Sequence, residues 1–154
     1  MRGANAESQS VGLGDSVDFY INRLGSRSSG ISWAYTPNIA LYEGAKALVA
    51  IKDMRKIPKL INSLGDSSKT VVLHLILSRL VEPENSSIRC KYNYGKDGKI
   101  LSVDYIYNGL EWLWDSVGNN IVSQGEIDKV ERYWRQRCRE TNPENVKISF
   151  TNER

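Results

Sequence analysis

The chain has 154 residues and a net charge of +3, with hydrophobic residues at 40% and charged residues at 25%. Those values describe one globular domain and exclude wholesale disorder. No apolar run approaches the ~18 residues of a membrane-spanning helix, and the opening MRGANAESQS has no apolar core of the secretory kind.

Residues 1–14 read as a mobile arm rich in Gly, Ser, Asn and Gln, and residues 15–150 as a single domain. Its helical part covers 15–82. A first helix is predicted from Asp15 to Leu24, with Val17, Tyr20, Ile21 and Leu24 on one side and Gly25 as a stop. A Ser/Gly-rich loop follows over 25–35. Thr36 and Pro37 open a second helix that runs to about Ile51, with Leu41, Ala45 and Leu48 inward. Ile57 and Pro58 start a short third helix ending near Leu64. Asp66 or Ser67 is expected to cap a fourth, from Ser68 to Leu80. That helix is apolar around nearly its whole circumference, so it belongs at the centre of the fold. Thr70, His74 and Ser78 form its one polar stripe, at four-residue spacing.

Beyond Glu82-Pro83 the period changes from 3.6 to 2. Ile88, Cys90, Tyr92 and Tyr94 alternate with Arg89, Lys91 and Asn93. Asp97-Gly98 and Asn108-Gly109 are hairpin signals. Two-residue turns at both sites set Tyr94 opposite Leu101, Tyr92 opposite Val103 and Cys90 opposite Tyr105. Across the second turn, Tyr107 faces Leu110, Tyr105 faces Trp112 and Val103 faces Trp114. Both registers place one apolar set on one face, predicting a three-stranded antiparallel meander over 88–115. Lys91 falls opposite Asp104 on the other face. A closing helix is predicted over 123–140, with Ser123 and Glu126 as a capping box and Ile127, Val130, Trp134 and Cys138 inward. Val146, Ile148 and Phe150 alternate as in an edge strand. The fold class is therefore α+β: a helical layer, a three-stranded meander and a C-terminal helix.

The run ALVAIKDMRKIPKLINSLGDSSKTVVLHLILSRL, residues 47–80, resembles one HEAT-like repeat of the phycobilisome-lyase type. Asp53, Pro58, Leu60, Ile61, Leu64, Asp66, Val71 and Leu80 sit at the matching positions. Val72 departs from the pattern, which often has arginine there. The resemblance covers about a fifth of the chain. It implies a pair of helices joined by a short Asp-containing turn, in a family that mostly binds other proteins while a minority binds nucleic acid or assists enzymes, and it carries over no catalytic residue.

The chemistry-bearing residues are sparse. His74 is the only histidine, without a neighbouring acid or a glycine-rich oxyanion loop, so a hydrogen-bonded structural histidine is the expectation. A small hydrolase using His74 is the third functional reading. Cys90 and Cys138 are expected to be buried thiols in a reducing compartment, placing the protein in the cytoplasm. One histidine without a Cys-x-x-Cys cannot supply a normal zinc set, and no phosphate-binding glycine loop occurs, so no metal or cofactor is expected. Basic and acidic residues are interleaved, 10 and 8 in residues 1–87 and 11 and 10 in residues 88–154, which argues against specific nucleic-acid binding. The aromatics of the meander segregate from Arg89 and Lys91, as for a core face, although a nucleic-acid accessory protein is the second reading. The stripe Arg132, Arg135 and Arg139 reads as a solvated helix face. By elimination the first reading is a non-enzymatic protein-interaction module, of the adaptor or immunity-protein kind. Its expected contact surface is the basic turn at Lys52, Arg55, Lys56 and Lys59, and its expected partner is an acidic protein.

Overall fold

The computed structural model describes residues 13–24 and 43–141. Among these residues five helices and four strands follow in chain order: α1 Leu13–Asn22, α2 Glu43–Ala50, α3 Lys56–Asn62, α4 Thr70–Val81, β1 Ile88–Tyr94, β2 Ile100–Tyr107, β3 Leu110–Asp115, β4 Asn120–Ile121 and α5 Gln124–Thr141. The class is α+β, with a helical layer, an antiparallel meander and a C-terminal helix. Most of the arm, the start of the second predicted helix with Leu41, and the Val146–Phe150 strand lie outside the described residues.

Helix α1 begins two residues before Asp15. Helix α4 starts at Thr70, and its capping differs from expectation. Lys69 holds the N-cap position without a side-chain cap, while Asp66 accepts from the Ser68 amide (3.0 Å) and hydroxyl (2.6 Å) one turn earlier. Asp66 thus closes an Asx turn ahead of the helix, and Thr70 turns its hydroxyl back to the Leu64 carbonyl at 2.7 Å. Burial of α4 runs without interruption from Thr70 to Ser78, as an all-apolar circumference requires.

The sheet order is β1-β2-β3-β4, every pair antiparallel. The predicted β2–β3 register holds at Val103–Trp114, Tyr105–Trp112 and Tyr107–Leu110. Its turn takes positive φ at Asn108 (44°) and Gly109 (86°), the two-residue geometry that matches strand twist. Two features correct the sequence reading. First, the sheet has four strands: β4 is a two-residue strand pairing Ile121 with Leu113. Second, the β1–β2 register holds at Cys90–Tyr105 and Tyr92–Val103 but slips by one at the tip, where Tyr94 meets Ile100. Gly98 (φ 79°) ends a three-residue loop, and its amide donates to the Gly95 carbonyl at 3.0 Å. The extra residue makes a bulge. Tyr94 and Leu101 end at the uncovered tip, 62% and 56% exposed, instead of in the core.

One core joins the layers. Tyr105, Tyr107 and Trp112 from the sheet pack with Leu73, Ile76 and Leu77 of α4 and with Val130 and Trp134 of α5. The Tyr105 and Trp112 rings stack at 5.2 Å. Trp112 is buried as expected, whereas Trp114 is half-buried. The capping box of α5 is half made. The Glu126 amide donates to the Ser123 hydroxyl at 3.2 Å. The Glu126 carboxylate instead receives the Glu111 amide (3.3 Å) and the Lys129 ammonium (2.6 Å), tying the helix start to β3.

Candidate functional site

The α2–α3 turn brings Lys52, Arg55, Lys56 and Lys59 close in sequence, but most of their charge is already engaged. Arg55 lies on Asp53, its Nε 2.9 Å from Oδ2. The hydrogen bonds from Arg55 hold the Asp53 carboxyl down at about 2. Lys59 reaches back to Asp18 of α1 at 3.2 Å. Lys56 is 1% exposed, so it does not belong to an exposed basic turn. Its Nζ donates to the carbonyls of Leu48 (2.6 Å), Val49 (3.3 Å) and Ile51 at the end of α2. A cation there satisfies carbonyls that lack helical partners. Burial lowers its pKa, and its ammonium is turned inward onto these carbonyls. Lys52 alone of the four is an exposed side chain without an ion pair among the described residues.

His74 is fully buried, with both ring nitrogens engaged. Trp134 Nε1 donates to Nδ1 at 2.9 Å, so Nδ1 is the acceptor and Nε2 carries the proton, given to the Tyr107 carbonyl at 2.9 Å. Burial, outweighing these carbonyl contacts, lowers its pKa to about 4. The rest of the polar stripe is satisfied locally, Ser78 donating to the His74 carbonyl at 2.8 Å. At the end of α4, Glu82 is 6% exposed and accepts from Tyr133, from Arg137 Nε (2.6 Å) and from Asn85 (3.4 Å). Burial raises its carboxyl, but these three donors prevail and hold it below the ordinary range. Both groups act as fasteners between α4, the sheet and α5.

Cys138 is buried, its thiol pushed up to about 11 by that burial. Cys90 is only half-buried, on the edge strand, against the expectation of two buried thiols. No group of three His, Cys, Asp or Glu among the described residues can hold a metal ion. On α5, Arg137 is committed to Glu82 and Arg135 is half-buried and engaged, whereas Arg132 and Arg139 are exposed.

The open side of the sheet carries the largest chemical contrast. Its rows read Arg89–Ile106–Glu111 and Lys91–Asp104–Leu113–Ile121 across the strands. They floor a groove of about 540 Å³, closed on one flank by Ser123 and Glu126 of the β4–α5 corner. Arg89 and Lys91 form the β1 wall; Glu111 and Glu126 form the opposite one. Asp104 accepts from Asn93 at 3.1 Å. Arg89, Lys91 and Glu111 make no ion pair among the described residues. The arrangement is a polarised trough with an apolar floor at Ile106 and Ile121. It suits an extended chain with charged groups better than a small apolar ligand. Sequence reasoning passed over it because each charge sits singly in the polar phase of a strand. The signal was that this phase is basic on β1 and acidic on β3.

No family model, curated protein or solved structure matches the chain. No helix among the described residues is long and apolar enough to cross a membrane.

Proposed function

We propose that the chain is a non-enzymatic protein-interaction module, of the adaptor or immunity-protein kind, acting through the open face of its sheet. The observation that carries this reading is the polarised groove, where Arg89 and Lys91 on β1 face Glu111 on β3, three charges without an ion pair among the described residues. Unpaired charges rimming an apolar floor steer a complementary protein and fix its register. The engagement of His74 and Glu82 in packing supports a binding role over a hydrolytic one. The resemblance of residues 47–80 to a HEAT-like unit supports the same reading, and the two thiols without a disulfide partner fit the cytoplasm.

Affinity capture from native lysate tests it. The full chain, an Arg89→Glu/Lys91→Glu variant and an Arg55→Glu/Lys59→Glu variant are compared with and without nuclease. A stoichiometric protein that survives nuclease and is lost only with the sheet variant is the expected result. Loss with the turn variant alone moves the interface to the α2–α3 turn. Loss of every partner on nuclease treatment replaces the module with a nucleic-acid accessory protein.

A further inference from the structure

Strand β1 is an edge strand of the sheet formed by the described residues. Among the described residues no strand lies beyond β1. The phase of its main-chain groups follows from one bond: the Asn108 amide donates to the Ser87 carbonyl at 2.9 Å, making 87 and 108 a hydrogen-bonded pair. In an antiparallel ladder such pairs alternate with non-bonded ones. Arg89–Ile106, Lys91–Asp104 and Asn93–Ser102 therefore exchange the inward bonds. The N–H and C=O groups of Ile88, Cys90 and Tyr92 point away from β2. The side chains of those same three residues lie on the core face but are only half-buried, so the apolar layer stops one strand short of full cover. On the other face, Arg89 and Lys91 are exposed and without ion pairs among the described residues.

We infer that β1 receives an extended segment of an acidic protein partner, added as a fifth strand whose residues alternate apolar and carboxylate. The inference rests on the interaction-module reading and names the mode and the chemistry of the partner. Main-chain bonds to Cys90 and Tyr92 supply affinity. The segment's apolar residues extend the Ile88, Cys90 and Tyr92 row. Its carboxylates fall beside Arg89 and Lys91, where opposite charges across neighbouring strands are favourable. Charge decides between this occupant and two others. A second copy pairing β1 with β1 about Lys91 sets Lys91 against Lys91. The chain's own residues 146–150 alternate Val146, Ile148 and Phe150 with Lys147 and Ser149. With their apolar side inward, that segment would set Lys147 into the Arg89 and Lys91 row. Like charges oppose both.

The test uses a capped peptide of seven residues, the length of β1, alternating valine and glutamate, and its lysine counterpart. The full chain is titrated with each while amide exchange is followed. The expected result is saturable binding of the glutamate peptide with new protection at Cys90 and Tyr92. Cys90→Pro removes an outward N–H from an edge strand, where proline is tolerated, and should weaken binding roughly tenfold or more. Arg89→Glu/Lys91→Glu should reverse the preference to the lysine peptide, which a merely unfolded variant cannot do. Absence of saturable binding, or binding indifferent to Cys90→Pro, overturns the inference. So does protection of Cys90 and Tyr92 in the free chain that Ile148→Pro releases, which would mean that the edge is already filled from within. A native partner kept by Cys90→Pro but lost on reversing Arg89 and Lys91 overturns strand addition while leaving the interaction module standing.

Discussion

Trp134 gives its indole N–H to His74 Nδ1 at 2.9 Å, joining the closing helix to the most buried helix of the domain through the chain's only histidine. Because Nδ1 must accept, the ring is held neutral. A proton added there would face the indole N–H head on.

The pH consequence has a definite sign. Unfolded, His74 takes a proton near 6.5; folded, near 4. Between those values the unfolded state binds more protons, so stability falls as pH drops from 6.5 toward 4. The loss from this residue alone is about 3 kcal/mol at the lower end. Urea denaturation at pH 7 and pH 4.5 checks it. His74→Gln should show a shallower decline than wild type, and equal declines would show that the depressed pKa is not expressed.

Glu82 acts in a different window. Its carboxyl is held below the ordinary value of 4.5, so its contribution is present above that pH and is lost as pH falls through the folded value. Glu82→Ala at neutral pH removes the acceptor of Arg137 and Tyr133. The expected cost is ~1.5–3 kcal/mol, typical of a hydrogen bond to a charged group. A double-mutant cycle with Arg137→Met reads the coupling between the two side chains, and a coupling near zero would show that the pair is not formed in solution.

Trp112 separates packing from hydrogen bonding. It is 4% exposed, stacked on Tyr105, and its indole nitrogen is buried without a hydrogen-bond partner among the described residues. Trp112→Ala should cost ~3–5 kcal/mol. Trp112→Phe should cost clearly less, because it keeps an aromatic ring and removes the unpartnered donor. Thermal melting of both variants decides, and similar losses would mean that the indole N–H is satisfied in solution.

Lys56 should behave as a structural residue. Lys56→Met keeps the apolar stem and deletes the group serving the end of α2. We expect a loss of ~1–3 kcal/mol with partner capture intact at temperatures where the variant stays folded. Capture abolished in a variant with wild-type melting would return Lys56 to the interface.

Much of the fold was legible because its signals were local. Asn108-Gly109 set one register, the apolar girth of α4 set its central position, and the stripe from Ile127 to Cys138 set the inner face of α5. What escaped was settled elsewhere in the molecule. Asp97-Gly98 is compatible with a two- or a three-residue loop, and the longer one displaced Tyr94 by a bulge. Strand β4, with two residues, is too short to show alternation. The burial of Lys56 depends on its side chain reaching back to the carbonyls at the end of α2, which a run of basic residues does not announce. The groove was hidden for a similar reason: its charges come from three strands and a helix start, and meet only once the sheet is built.

The brevity of β4 limits what can grow from this protein. One side of the sheet ends in a seven-residue strand, the other in two residues that lead at once into α5. Among the described residues, strand addition of the kind inferred above would find a long edge on the β1 side alone. A pair of matched long edges, the two-ended geometry that lets sheets stack into fibres, is not what these residues present.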